Sequence, residues 1–310
     1  MRIGVVGAGA VGGWYGGRLA ETGHEVHLVT RTDAATIAQA GLTLRDRQGE
    51  RQVRVASARP TTDGLGPCDV VIIAAKATAN ATLPDLLRPL IGPRTILLTL
   101  QNGMGNVEAF ADLLPSDRLV AGLCFVCLNR LGPGLIENTL VGNVRMAAAQ
   151  GPANDAVAAS VALFADAGID CRAEDSLEGV LWKKLCWNIP FNGLAIAAGG
   201  VTTDRIVGDP ALRLRARRLM DEVSAAAAAR GHGFEEKHIR WQLEMTDGMG
   251  PYRPSSLIDY LAGRDVEVDG IWGEPLRRGQ AAGVAMPETQ RLVDDIKARL
   301  AARPETSQRP

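Results

Sequence analysis

The sequence predicts an α/β domain over residues 1–175 followed by an all-helical domain over residues 176–310. Three observations carry that expectation. Short β-branched runs alternate with helical stretches through the first half, the pattern of a parallel sheet covered on both faces. A dense group of glycines separates the first such run from the first helix. From about residue 176 the strand-like runs stop, and the chain carries helical periodicity almost to its end. A chain of 310 residues is long for one domain and comfortable for two.

Taken in order, RIGVVG (2–7), EVHLVTR (25–31), DVVIIAA (69–75), TILLTL (95–100) and RLVAGLC (118–124) read as strands. Residues 11–22, 33–40, 80–90, 104–114 and 152–167 read as helices. An extra hairpin is expected over 41–57, and two later antiparallel strands over 134–149. In the second half, Asp209 followed by Pro210 is a helix start, with the helix running to about residue 230. Its arginines 213, 215, 217 and 218 read either as a phosphate-binding patch or as a solvated face, and Leu212, Leu214, Leu219 and Val223 as the core side favour the second. Pro287 starts the last helix, and the tail 303–310 is expected to be disordered.

Composition narrows the function classes. Apolar residues make up 46% and charged residues 22%, with a net charge of −1. That balance favours neither nucleic acid nor an anionic membrane as partner. No apolar run approaches the ~20 residues of a membrane helix, and MRIGVVGAG is no secretory leader, so the cytoplasm is the expected compartment. The five cysteines are odd in number and scattered, which suits reduced thiols. Cys124 and Cys127 form a single CxxC without a second pair, so buried thiols are expected there rather than a redox or zinc site. None of the four histidines lies in a cluster of ligand spacing, and no metal is expected; His24 and His27 read as structural.

The glycine group is GAGAVG at 7–12, placed between a strand and a helix. Gly7, Gly9 and Gly12 satisfy G-x-G-x-x-G, with Ala8, Ala10 and Val11 between them. The first glycine permits the tight turn, the second lets the backbone approach a pyrophosphate, and the third lets helix and strand pack closely; the helix N-terminus then faces the anion. In this context the motif points to a Rossmann dinucleotide domain. At the end of the second strand, where a carboxylate would hold the ribose of NAD, the chain has Thr30 and Arg31. Arg31 can pair with a 2′-phosphate, so NADPH/NADP+ is the expected cofactor. Asp33, further on, reads as a helix cap.

Lys76 lies just past the strand at 69–75, and Asn102 just past the strand at 95–100. Ligands of open α/β sheets bind beyond the carboxyl ends of strands, although a solvated loop lysine and a turn asparagine are the plainer readings. In LWKKLCWNIPFN (181–192), Lys184, Asn188 and Asn192 recur every four residues on a helix that is otherwise almost wholly apolar. Such a helix is buried, and its one polar stripe is expected to line an internal cleft; a satisfied structural lysine beside capping asparagines is the alternative. Lys183 is expected at the surface, and Pro190 to kink the helix. A lysine in a partly dry cleft is a candidate proton donor.

Together these segments resemble the ketopantoate reductases (2-dehydropantoate 2-reductases). The likeness spans GAGAVG, AAKA around Lys76, QNG at 101–103, LWKKLCWNIPFN, RPSSLIDYLAGRDVEVDGI at 253–271 and GVAMPETQRL at 283–292. It implies a Rossmann domain and a helical domain of the 6-phosphogluconate-dehydrogenase-like kind, a cleft between them, and NADPH-dependent reduction of 2-dehydropantoate to (R)-pantoate on the way to coenzyme A. By position, the resemblance makes Lys184 the catalytic lysine and Glu267 a second catalytic group. It makes Asn188 and Asn192 substrate-binding, Asn102 a contact of both cofactor and substrate, and Lys76 its neighbour at the cofactor. Ser255, with Ser256 as the fallback, would take the substrate carboxylate. Three positions depart from the common pattern, Tyr252, Gly270 and Trp272, all expected near the substrate end.

The reaction so implied is hydride transfer to C2 of a 2-oxo acid, with Lys184 stabilising and protonating the oxygen. Two alternatives stay open. One is reduction of another 2-oxo acid, or opine-type dehydrogenation. The other is a non-catalytic NADP(H) sensor, against which the full Lys184, Asn188, Asn192 and Glu267 set argues. A small-molecule 2-oxo acid is the expected partner, and a homodimer is allowed for.

Overall fold

The β-branched runs of the first half pair into one sheet. The computed structural model describes residues 1–303, apart from the side chain of Val141. Among these residues the strands are β1 (Arg2–Val6), β2 (Glu25–Val29), β3 (Leu42–Asp46), β4 (Gly49–Val53), β5 (Ser57–Arg59), β6 (Val70–Ile73), β7 (Ile96–Thr99), β8 (Leu119–Gly132), β9 (Leu135–Ala148) and β10 (Cys171–Ala173). Their order is β4-β3-β9-β8-β7-β6-β1-β2-β5, with β10 beside β9. From β5 to β8 the neighbours run parallel; Val5, for example, stands beside Leu28 on one side and Ile72 on the other. The sheet is mixed beyond that point, because β8 and β9 are antiparallel and β3 and β4 form a hairpin added to β9.

The helices α1 (Ala10–Glu21), α2 (Ala34–Ala40), α3 (Leu83–Leu87) and α4 (Asp155–Asp166) belong to the same unit. One apolar cluster, with Ile3, Val5, Leu28 and Tyr15, involves α1 and α4. A second, with Val6, Val71, Ile73 and Leu87, involves α3. The strands are near-continuously apolar because both faces are covered. Two expected helices do not form as such. Residues 80–90 break into α3 and one 3₁₀ turn (Arg88–Leu90), each with a proline in its first turn, Pro84 or Pro89, that cannot donate back to the residues before it. Residues 104–114 hold only a 3₁₀ turn at Glu108–Phe110. The two strands expected over 134–149 are one strand, β9, bulged against a β8 much longer than 118–124.

The contacts within the chain separate Met1–Asn102 with Asn106–Leu177 from Gly103–Gly105 with the residues from Glu178 on. The second unit is helical: α5 (Leu177–Ala197), α6 (Thr203–Gly208), α7 (Pro210–Ala229), α8 (Glu236–Asp247), α9 (Ser255–Leu261), α10 (Glu274–Ala281) and α11 (Pro287–Ala301), with a π-helical turn at Asp269–Gly273. Its core is built on α5, whose Trp182, Ile189, Phe191 and Leu194 are fully buried, together with Leu219, Val223, Trp272, Leu292 and Ile296. Asp209 caps α7 by accepting from the N–H groups of Ala211 (2.8 Å) and Leu212 (3.0 Å).

Three of the four arginines of α7 are partnered by carboxylates: Arg213 by Asp247 (3.0 Å), Arg215 by Glu288 (2.6 Å) and Asp295 (2.7 Å), and Arg217 by Asp221 (2.9 Å) and Glu236 (2.6 Å); Arg218 is exposed. Leu214 is exposed, not in the core as expected, because α11 takes Arg215 on the neighbouring face. At the start of α11 the cap comes from α7. Glu222 accepts from Glu288 N (2.7 Å), Thr289 N (2.8 Å) and Thr289 Oγ1 (2.7 Å). Of the tail expected to be disordered, Arg303 lies over the Tyr260 ring (4.2 Å), and residues 304–310 lie outside the described residues. No helix among the described residues is long and apolar enough to cross a membrane.

Candidate active site

The glycine turn has the shape that its sequence implies. Gly7 sits at φ +93°, and a methyl there would lie 2.3 Å from the Ala75 nitrogen. Gly12 packs so closely that its methyl would lie 2.3 Å from the Gly7 carbonyl oxygen. Gly9 is different, since a methyl there would meet no atom within 4 Å. Gly9 is also the cap residue of α1, and no side chain caps that helix. The first-turn N–H groups and an open approach over Gly9 therefore fit the pyrophosphate of a dinucleotide.

Arg31 is exposed just beyond β2. Asp33 occupies the cap position of α2 but does not cap it; no side-chain hydrogen bond joins it to that helix. Its buried carboxylate instead accepts from Arg130 Nε (2.7 Å), from Arg130 Nη2, from Gly134 N (3.2 Å) and from Thr32 Oγ1 (2.9 Å). Burial alone would push this carboxyl up, but the hydrogen bonds from Arg130, Gly134 and Thr32 outweigh it and hold it below the usual carboxylate range.

Lys76 and Asn102 lie on the loops after β6 and β7, as the spacing predicts. A chain of amides that sequence reasoning missed ties those loops together. Gln101 Nε2 donates to Ala75 O (2.9 Å) and Asn80 Oδ1 (2.7 Å). Asn80 Nδ2 donates to Asn106 Oδ1 (3.2 Å), and Asn106 Nδ2 to Asn102 O (2.9 Å). The available signal was the density of amides at 80 and 101–106, masked by reading 80–90 and 104–114 as helices. Gly103, at φ +91°, has no room for a side chain against the Gly270 backbone, and Met104 N donates to Gly270 O (2.8 Å).

In the helical unit, α5 runs through Pro190 to Ala197 and presents Lys184, Asn188 and Asn192 along one side. Lys184 and Asn188 are half-buried, Asn192 is buried, and Lys183 is exposed as expected. Behind the stripe lies Cys186, whose thiol burial pushes up to about 12, an inert core group. Cys124 and Cys127, expected to be buried, are half-buried on β8.

Asn192 joins α5 to α9. Its Oδ1 accepts from Ser256 N (2.9 Å) and lies 3.5 Å from Ser255 Oγ. Ser255 is exposed and Ser256 buried, so of the two hydroxyls Ser255 is the accessible one. Glu267 is buried just before the π-helical turn, and its carbonyl accepts from Ile271 N (3.2 Å). Tyr252 lies beside Trp187, with ring centroids 6.3 Å apart. Trp272 is core: its indole donates to Ile189 O (2.9 Å), and only a glycine at 193 leaves it room. Replacing Asn192 with alanine strands the buried Ser256 N–H and is expected to cost about 1–3 kcal/mol, read as a lower midpoint of denaturant unfolding. An unchanged midpoint would show that the α5–α9 bond carries no stability.

Residues 3–151 match the family described as Ketopantoate reductase PanE/ApbA, and residues 176–300 match Ketopantoate reductase PanE/ApbA C terminal. Over 298 residues the chain is 35% identical to a 2-dehydropantoate 2-reductase of Nostoc sp., covering 94% of this chain and 93% of that protein. The crystal structure of 2-dehydropantoate 2-reductase from Geobacter metallireducens superposes with a TM-score of 0.92 at 36% identity, covering 96% of this chain and 99% of that one. The corresponding structure from Methylococcus capsulatus gives 0.89 at 29% identity, covering 99% and 100%.

Proposed function

The chain belongs to the ketopantoate reductase family, an oxidoreductase that uses a pyridine nucleotide, and on that premise we propose that it reduces 2-dehydropantoate to (R)-pantoate with NADPH. The observation that carries the reading is the stripe on α5: Lys184, Asn188 and Asn192 lie along one side of a helix that is otherwise core. Residues 1–175 hold the nucleotide, and residues 176–310 hold the 2-oxo acid and the proton donor. The cytoplasm, where thiols stay reduced, is the compartment that suits this chemistry.

When bound, the reduced nicotinamide supplies the hydride to C2. The Lys184 ammonium faces the carbonyl oxygen, neutralises the charge that develops there and gives up its proton as the C–O π bond opens; solvent then reprotonates the amine. Ser255, set beside Asn192, takes the substrate carboxylate, and Asn188 and Asn192 fix the remaining polar groups. Glu267 holds a substrate hydroxyl. The Gly7–Gly12 turn, with Ala8, Ala10 and Val11 between its glycines, carries the pyrophosphate, while Lys76 and Asn102 border the nicotinamide end. Arg31 takes the 2′-phosphate, and the carboxylate nearest to it in the chain, that of Asp33, is already neutralised by Arg130.

The test is a panel of 2-oxo acids with NADPH and NADH, followed by loss of absorbance at the nicotinamide band. Turnover of 2-dehydropantoate with NADPH well above all other pairs is expected. Arg31→Ala is expected to raise the NADPH KM about tenfold to hundredfold, the worth of a charge-assisted hydrogen bond, and to leave NADH little affected. Equal use of the two nucleotides by the parent protein would overturn the choice of NADPH. Tyr252, tilted against Trp187 where many relatives carry an amide, favours a second reading in which a more apolar 2-oxo acid is the better substrate. The same panel separates the two.

A further inference from the structure

We propose that Arg130 is a positioning residue for nucleotide selection: by neutralising Asp33 it keeps the loop that presents Arg31 receptive to a 2′-phosphate. The inference rests on the reading of Arg31 and NADPH given above.

Asp33 is the only acidic residue between Glu25 and Asp46, so along the chain it is the nearest negative charge to a phosphate at Arg31, two residues away. Left alone it would repel that phosphate and compete for the Arg31 guanidinium. The fold prevents both. The β8–β9 hairpin brings Arg130 and Gly134 from about a hundred residues away onto the carboxylate. Gly134, at φ +67°, makes the turn, and its carbonyl accepts from Thr43 N (2.8 Å), anchoring the hairpin to β3. Asp33 is 2% exposed, whereas the side chain of Arg130 remains 39% exposed. The carboxylate is thus fully enclosed by donors while the surface above it stays cationic. The loop that meets the ribose phosphate is set by a pair whose members lie on different supersecondary elements.

The experiment is fluorescence titration of the purified full-length protein with NADPH and, separately, NADH, which needs no turnover. Arg130→Met is expected to raise the NADPH Kd about tenfold or more and to leave the NADH Kd unchanged or lower, since an unpaired carboxylate penalises only the phosphorylated nucleotide. Arg130→Lys restores charge but not the two-pronged bond, and is expected to fall between. The double variant Asp33→Asn with Arg130→Met removes both charges and is expected to return the NADPH Kd to within about threefold of the parent. A parallel rise in both Kd values in Arg130→Met, or no recovery in the double variant, would make the pair merely structural and overturn the proposal. Should Arg130→Met not fold, Asp33→Asn alone decides: an unchanged or lower NADPH Kd supports the proposal, and a raised one overturns it. If Arg31→Ala leaves the NADPH Kd unchanged, it is the underlying reading that fails, whatever Arg130 does.

Discussion

Replacing Lys184 with alanine is expected to leave NADPH binding intact and to lower kcat by ~10²–10⁴, the usual loss when a positioned proton donor is removed. Alanine is a better helix former than lysine, and the position is only half-buried, so α5 should fold unchanged. Loss of rate with a parent-like melting curve therefore reports chemistry rather than structure. Lys184→Arg keeps the charge but gives up a proton far less readily, so it is expected to recover oxyanion stabilisation only in part. Lys183→Ala, one residue away and exposed, serves as the control and is expected to turn over normally. Near-parent kcat in Lys184→Ala with 2-dehydropantoate would remove the lysine from the mechanism.

The second large effect concerns the glycine turn. Gly12→Ala sets a methyl 2.3 Å from the Gly7 carbonyl oxygen, and neither side of that contact is a flexible side chain. Overpacking of this kind costs about 1–3 kcal/mol, and the displaced turn can no longer present its N–H groups to a pyrophosphate. A lower melting temperature and a nucleotide Kd raised by at least about a hundredfold are expected together. Gly9→Ala separates the two consequences. There is space for its methyl in the protein alone, so stability is expected to hold while nucleotide binding weakens. Tight NADPH binding by both variants would show that the dinucleotide does not lie on this turn.

The features legible in the sequence were those written within a few residues of one another. The strand, glycine turn and helix at the N-terminus are one local signal, and the Lys184, Asn188 and Asn192 stripe is a helical period on an apolar background. What escaped depends on contacts across the chain. Asp33 looks like a helix cap until Arg130 is brought to it by a hairpin whose length no local pattern gives. The amides at 80 and 106 look like parts of helices until Gly103 and Gly105, at positive φ, and the neighbouring prolines deny those helices a ladder. Leu214 looks like core until α11 offers Glu288 and Asp295 to its neighbour Arg215. Trp272 looks like a change at the substrate end, yet its indole donates to the Ile189 carbonyl, next to the Pro190 that lies inside α5. In each case tertiary pairing overrode a sound local preference.

The cap that Glu222 lends to α11 bears on how the protein is made. During synthesis α7 emerges long before residues 287–289, so its carboxylate and the apolar sites for Leu292 and Ile296 wait without their partners. The helical unit therefore completes its interior only once residues 287–296 have emerged, and a nascent chain arrested before Pro287 leaves the Glu222 carboxylate, the Arg215 guanidinium and the apolar sites that α11 covers without their partners.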